Sequence, residues 1–304
     1  MKRPLIRVAL AVAVACPAAQ AADALTVCLN KDNAPFSLKK DGKEEGFDVA
    51  MAGAVAQELG RPLEIRWYQK ERRSRGPVSV KTSVLVASGT CDLVGGFPLV
   101  QSSLERPANG EEASLPPVDG LPDDSRAKKY KGAPLLASRA YHFAGMTAVL
   151  GEKVSGSIAS LDDLKPYRLA HRPASIGDLI MMAYKQGALV ANTSHVNPDV
   201  DPLDAVARGE ADATITESHR FDLYRVQNPQ SPLRASGMLI PVGFNIGFVS
   251  TESHAGLMAD VNKAIDNLVK SGKAEAIARD LKLSWTAPQA PDVRTGLGLE
   301  QYAK

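Results

Sequence analysis

Leu25, Val27 and Leu29 alternate with Thr26 and Cys28, a period of two that predicts a short strand with one buried face. Asn33-Ala34-Pro35-Phe36 ends it, because Pro35 has no N–H for a ladder and drives Ala34 towards an extended conformation. Lys39-Lys40-Asp41-Gly42-Lys43 reads as a polar turn. From Phe47 the spacing changes. Phe47, Met51, Ala54, Val55 and Leu59 fall on one face of a helix, which Gly60 closes with Pro62 just beyond. Leu63, Ile65 and Trp67 alternate again as a second strand. A strand, a crossover helix and a strand form a βαβ unit, which implies a parallel sheet.

The same pattern continues downstream. A helix is predicted from about Val78 to Ser88, with Gly89 as its stop, and Asp92–Phe97 as the next strand. Asp201 can cap a helix with Pro202 in its first turn, Leu203, Val206 and Ala207 supply its apolar face, and Gly209 ends it. Ala213–Thr216 follows as a strand. Both places share one order: helix end, Gly, two residues, Asp, strand. That repetition predicts two lobes of similar build. Arg168–His171 reads as a strand, and Ser175–Gly187 as a helix with Leu179, Ile180, Met182 and Ala183 inward. Ala140–Leu150 and Pro241–Ser250 are the expected hinge crossings. Leu257, Val261, Ala264, Ile265 and Leu268 give a long amphipathic helix returning to lobe one. Pro107–Pro134, with five prolines and little apolar periodicity, reads as a long irregular excursion on lobe one. The expected division is a signal peptide over 1–21, lobe one over 22–139 and 250–285, lobe two with its hinge strands over 140–249, and a tail over 286–304.

Composition narrows the class. The chain has 304 residues, 44% of them hydrophobic, enough for two packed domains. Lys2, Arg3 and Arg7, the apolar run Val8–Ala15 and the small-x-small site Ala19-Gln20-Ala21 have the order of a secretory signal, so a mature chain starting at Ala22 is expected in the periplasm. Of 36 basic residues, 33 then remain against 34 acidic ones, and nothing electrostatic favours nucleic acid. No other apolar run approaches membrane-spanning length. Cys16 as a lipid anchor fits poorly after Ala13-Val14-Ala15. Cys28 and Cys91 are left as an even pair in an oxidising compartment. If their two strands are adjacent and parallel, the cysteines lie at similar depth, and a Cys28–Cys91 disulfide is expected.

No G-x-S-x-G, Walker loop or H-E-x-x-H occurs, and the five histidines lack ligand spacing. Neither catalysis nor a metal or other cofactor is expected. Ligands of open parallel sheets lie beyond the carboxyl ends of the strands. Here those ends fall at Asn33–Phe36, Gly96–Pro98, His171–Ser175 and Glu217–Ser218. Asn33, Phe36, Phe97, Arg172, Ser175 and Glu217 are therefore candidate ligand contacts, and Trp67 is counted with them. Ser175-Ile176-Gly177 opens a helix whose free N–H groups suit a carboxylate.

The ordered set of a first strand, x-Pro35-Phe36, a polar turn, Gly46-Phe47-Asp48 at a helix start and a closing Leu59-Gly60 resembles family 3 of the periplasmic solute-binding proteins. The resemblance implies an α/β, two-lobed fold with two hinge crossings, each lobe a mainly parallel sheet flanked by helices. It also implies a monomeric, non-enzymatic receptor that closes on a small polar, amino-acid-like solute and delivers it to an ABC permease. By this likeness Ser175 stands where relatives carry a threonine, and Glu217 where an acid binds the ligand amino group. Arg106, of Glu105-Arg106, is the counterpart of the arginine that clamps the α-carboxylate, but the pair is displaced by several residues and Pro98 replaces a hydroxyl residue. Val27-Cys28, Asn33–Ser37, Trp67-x-Gln69 and Cys91–Pro98 are similar to the MxaJ-type branch. That second likeness implies a partner of a quinoprotein (PQQ) alcohol dehydrogenase instead of a transport receptor.

Overall fold

The computed structural model describes residues 23–70, 78–105 and 110–302; the expected signal segment with Cys16, residues 71–77 and Arg106 lie outside them. Alternating apolar residues build β1 (Leu25–Asn30), and Asp32–Asn33, Ser37–Lys40 and Lys43–Glu45 form a small three-stranded sheet, β2 to β4. Helix α1 (Phe47–Glu58) crosses over to β5 (Leu63–Tyr68), which pairs parallel with β1. Then come α2 (Val78–Ala87), β6 (Leu93–Pro98), α3 (Gln101–Glu105), a hairpin of β7 (Glu112–Ser114) and β8 (Lys129–Lys131), and the long strand β9 (Leu136–Leu150). Lobe two holds β10 (Leu169–His171), α4 (Ile176–Ala183), β11 (Thr193–His195), α5 (Pro202–Ala207), β12 (Ala213–Glu217) and α6 (Ser218–Gln227). The second long strand, β13 (Arg234–Ser250), returns to α7 (Ala255–Lys270) and α8 (Lys273–Asp280).

The strands of both lobes join in one eight-stranded sheet, ordered β11-β10-β12-β9-β13-β6-β1-β5. Pairs within each lobe are parallel, whereas β9 and β13 are antiparallel to each other and to their flanking strands. The two-lobed α/β architecture is therefore organised around two shared strands. Both begin earlier than the apolar pattern implies. Arg234–Leu239 holds only exposed and half-buried positions, so it carries no hydrophobic signature. The pairing shifts register between Ile240 and Phe244, around Pro241-Val242-Gly243. Gly243 has φ 151°, and a Cβ there would lie 2.0 Å from the Ala144 carbonyl oxygen. Only glycine fits.

The repeated Gly-x-x-Asp has a common structural role. Asp92 accepts from the Thr26 N–H through Oδ2 and donates its own N–H to the Thr26 carbonyl. Asp212 does the same with Arg168. Gly89 and Gly209, at φ 74° and 73°, turn the chain out of each helix. An equivalent carboxylate thus fastens the start of the first strand in each lobe.

Lobe one packs α1, α7 and α8 on one face of its sheet and α2 on the other. The Cys28–Cys91 disulfide lies in the second layer with a Cα–Cα distance of 5.8 Å. The described part of the 107–134 excursion, residues 110–134, is more ordered than its prolines suggest. Leu115 and Val118 are buried in the same cluster as the disulfide, and Val118 bridges Tyr68 at the sheet edge. Asp119 pairs with Lys31 at 3.0 Å and Lys39 at 3.3 Å, tying the excursion to the loop that bears Asn33 and Phe36. In lobe two, Ile180 and Met181 are buried, whereas Leu179 and Met182 are 41% and 50% exposed. The expected inward face of that helix is therefore corrected: α4 ends at Ala183, and a short 3-10 turn over Tyr184–Gln186 replaces the predicted continuation.

Candidate functional site

The carboxyl ends of β10 and β12 meet the amino ends of α4, α5 and α6 in lobe two. Ser175 caps α4: its Oγ accepts from the Asp178 N–H at 3.1 Å. The N–H groups of Ile176 and Gly177, ahead of that bond, lie in the helix's first turn. Gly177 lets the helix descend onto the sheet, since a Cβ there would come within 2.2 Å of the Ile215 carbonyl oxygen. Asp178 accepts from the Ala174 N–H at 2.9 Å and faces His195 Nε2 at 2.7 Å. Burial alone would raise the Asp178 carboxyl, but the His195 and Ala174 hydrogen bonds prevail and hold it below the usual range.

A hollow of about 50 Å³ opens there, lined by His171, Arg172, Ser175, Thr214, Glu217 and Arg220 among others. Its wall carries polar atoms without partners. Among the described residues, both His171 ring nitrogens, the Arg172 Nε and the Thr214 Oγ1 are buried with no hydrogen bond. Such groups are costly to leave unmatched. Burial pushes the His171 imidazole down to about 4, so it is neutral near pH 7. Glu217 is half-buried and accepts from Thr216 Oγ1 at 3.1 Å. Arg220 reaches Asp201 at 2.6 Å, and Asp201 also caps α5 by accepting from the Leu203 N–H. This ion pair was not legible in the sequence, because nineteen residues separate its members.

A wider hollow of about 360 Å³ shares Asp201, Leu203, Glu217 and Arg220, and adds Ala34 of lobe one with His219 and Tyr224. The Glu217 side thus faces the Asn33–Phe36 loop across the gap between the lobes. The Phe36 ring packs on His219 at 4.7 Å and on His142 at 5.8 Å between ring centroids. Asn33 fixes that loop by accepting the Phe36 N–H through its carbonyl.

Of the candidate residues, Arg172, Ser175 and Glu217 are brought around one hollow, with Asn33 and Phe36 on the opposing loop. Trp67 and Phe97 are elsewhere. They are 2% and 5% exposed and belong to the two apolar clusters of lobe one, Trp67 with α1 and Phe97 with α2 and the disulfide. Their place near strand ends reflects core packing. Arg106 lies outside the described residues.

Lobe one contributes a buried network that the sequence did not announce. The Tyr141 hydroxyl donates to Asp48 Oδ1 at 2.7 Å and accepts from the Gly96 N–H at 3.0 Å. Asp48 Oδ2 is buried without a partner among the described residues, and a Cβ on Gly96 would lie 2.3 Å from it. Burial raises the Asp48 carboxyl to about 6, with the Tyr141 bond opposing. A folded-state value above the unfolded one means that the native protein binds the proton more tightly. Stability from this group is therefore full below about pH 4 and is lost as pH rises through 6. Asp48→Asn is expected to gain about 2 kcal/mol relative to wild type between roughly pH 4.5 and 7.5. Urea unfolding of both proteins at the two pH values checks this; a constant difference contradicts it.

No described helix is long and apolar enough to cross a membrane, and the described residues hold no group of three or more His, Cys, Asp or Glu arranged for a metal ion. No family model and no curated protein matches the chain. Solved structures do match. The L-cystine solute receptor of Neisseria gonorrhoeae, unliganded and open, aligns with a TM-score of 0.61 at 20% identity, over 88% of this chain and 96% of that one. Substrate-binding domain 2 of Lactococcus lactis GlnP, also open, gives 0.60 at 18% identity, covering 88% and 97%. An ancestral cyclohexadienyl dehydratase gives 0.54 at 20% identity, covering 86% and 93%. The chain has the fold of bilobal solute-binding proteins, a fold that also carries an enzyme.

Proposed function

We propose that this chain is a periplasmic solute receptor of the family 3 type, binding a small, polar, amino-acid-like molecule between its lobes for an ABC importer. The observation that carries this reading is the lobe-two hollow. There the amino end of α4 under Ser175, the partly unpartnered Arg172 guanidinium and the Glu217 carboxylate line one concavity. A ligand carboxylate would accept from the first-turn N–H groups of α4 and from Arg172. A ligand ammonium would donate to Glu217. The Asp201–Arg220 pair is already neutralised internally, which leaves Glu217 as the acceptor for a cationic group. The neighbours named for cystine reception and substrate binding support the class of ligand, and the dehydratase neighbour marks an enzyme as the competing class.

The expected effect of Glu217→Gln is a tenfold to hundredfold weaker affinity for an amine-bearing solute, since a charged hydrogen bond is worth about 1.5–3 kcal/mol. Calorimetric titration of both proteins measures it. Equal affinities would reduce Glu217 to a rim carboxylate.

A second reading is favoured by one observation. The Phe36 ring stands tilted against His219 and His142, so part of the loop that would hold a solute already touches other side chains of the cleft. An accessory protein of a quinoprotein alcohol dehydrogenase would need no small ligand there. Co-purification with such a dehydrogenase, with no response to any solute, supports that alternative.

A further inference from the structure

We propose that the C-terminal segment 284–302 is a strap that limits rotation of the two lobes. It is a third crossing between them, beside β9 and β13. Ser284 donates from its N–H and hydroxyl to Asp222 of α6, at 2.6 and 2.9 Å. Trp285 Nε1 donates to the Tyr141 carbonyl, and the Phe143 N–H of β9 donates to Thr286. The chain then meets Asn245, fully buried on β13. Its carboxamide nitrogen donates to the carbonyls of Gln289, Pro291 and Asp292, and its oxygen accepts from the Gln289 N–H. Asp292 pairs with Arg139 at 2.8 Å.

Beyond these hinge contacts the segment is fastened to both lobes. Arg294 exchanges backbone hydrogen bonds with Leu99 and Gln101 in lobe one. Leu297 accepts from the Gly243 N–H, and Leu297, Leu299 and Tyr302 pack on the lobe-two core that contains Ile180 and Tyr184. Only Thr295 and Gly296 separate the two anchors. Three peptide units reach at most about 11 Å when fully extended. Rotation about β9 and β13 therefore proceeds only until this link is taut, after which one anchor must be released. The inference holds whichever solute or partner the cleft receives.

Spin labels on cysteines introduced at exposed Lys43 in lobe one and Asp199 in lobe two report the inter-lobe distance by pulsed electron resonance. In the full chain without ligand, a narrow distribution is expected. With Leu297→Ser, Leu299→Ser and Tyr302→Ser together, which remove the apolar part of the lobe-two anchor and leave only its backbone bond to Gly243, the distribution should broaden by several ångströms. Identical distributions in two folded proteins overturn the proposal. Hydrogen exchange of the unaltered chain gives a reading independent of variant folding. The Gly243 and Arg294 amides should exchange as slowly as the Phe248 amide within β13. Exchange at the rate of an open loop means that the segment is not fastened, and the strap is then refuted.

Discussion

Reducing the Cys28–Cys91 disulfide is expected to cost about 4 kcal/mol of folding stability on the chain-entropy model, for the 63-residue separation that it closes. The bond joins β1 to the turn that enters β6, and those strands pair parallel with Cys28 opposite Val94. Both cysteines lie in an apolar layer, 0% and 2% exposed, so reduction demands opening of the α2 side of lobe one. The segment that follows β1, Asn33–Phe36, is the lobe-one border of the wider hollow through Ala34. Loss of the bond should therefore loosen the site as well as the core. Denaturant unfolding with and without reductant, with the Cys28→Ala, Cys91→Ala double variant as control, measures the effect. An unchanged midpoint would show that the unfolded chain is not being constrained.

Acidification is expected to destabilise the protein through two histidines held neutral by burial. His171 is lowered to about 4 by desolvation, and His142 to about 3 by desolvation and the nearby His219. For a base whose folded value lies below its unfolded value of 6.5, the native state resists the proton. Stability is therefore complete above about pH 6.5 and declines as pH falls towards the folded value. Between roughly pH 7.5 and 4.5 each histidine should remove roughly 2–3 kcal/mol, while Asp48 returns about 2 kcal/mol. His171→Leu removes one of these titrations along with two unpartnered buried nitrogens. Its stability should fall by roughly 2–3 kcal/mol less than that of wild type over the same interval. Parallel pH profiles would mean that water or a partner group already solvates His171.

Much of this architecture was legible because its signals are local. The alternation at Leu25–Leu29, the helical spacing from Phe47 to Leu59 and the second alternation at Leu63–Trp67 each declare one element. The two Gly-x-x-Asp repeats declare two lobes, and the structure gives both aspartates the same pair of backbone bonds. Ser175 and Glu217 could be singled out because strand ends in parallel sheets point towards ligands. What stayed hidden depends on long-range contact. The Asp201–Arg220 and Asp48–Tyr141 pairs have no periodicity to reveal them. The tail from Thr286 onward is held through backbone carbonyls grasped by Asn245, and a carbonyl leaves no mark on residue type. The 107–134 excursion hides its buried Leu115 and Val118 among prolines. Trp67 and Phe97 show the converse: a large aromatic near a strand end can as readily belong to the core.

The central claim is that the lobe-two hollow receives a small zwitterionic solute, and a thermal-shift screen of the mature protein against amino acids, amines, sugars and carboxylates tests it most directly. At about a hundred times its dissociation constant, a true ligand stabilises the native state by roughly 2.7 kcal/mol. The account predicts a clear upward shift with at least one amino acid, and none with sugars or with simple amines lacking a carboxylate. No shift with any amino acid, or a shift with sugars alone, would contradict it.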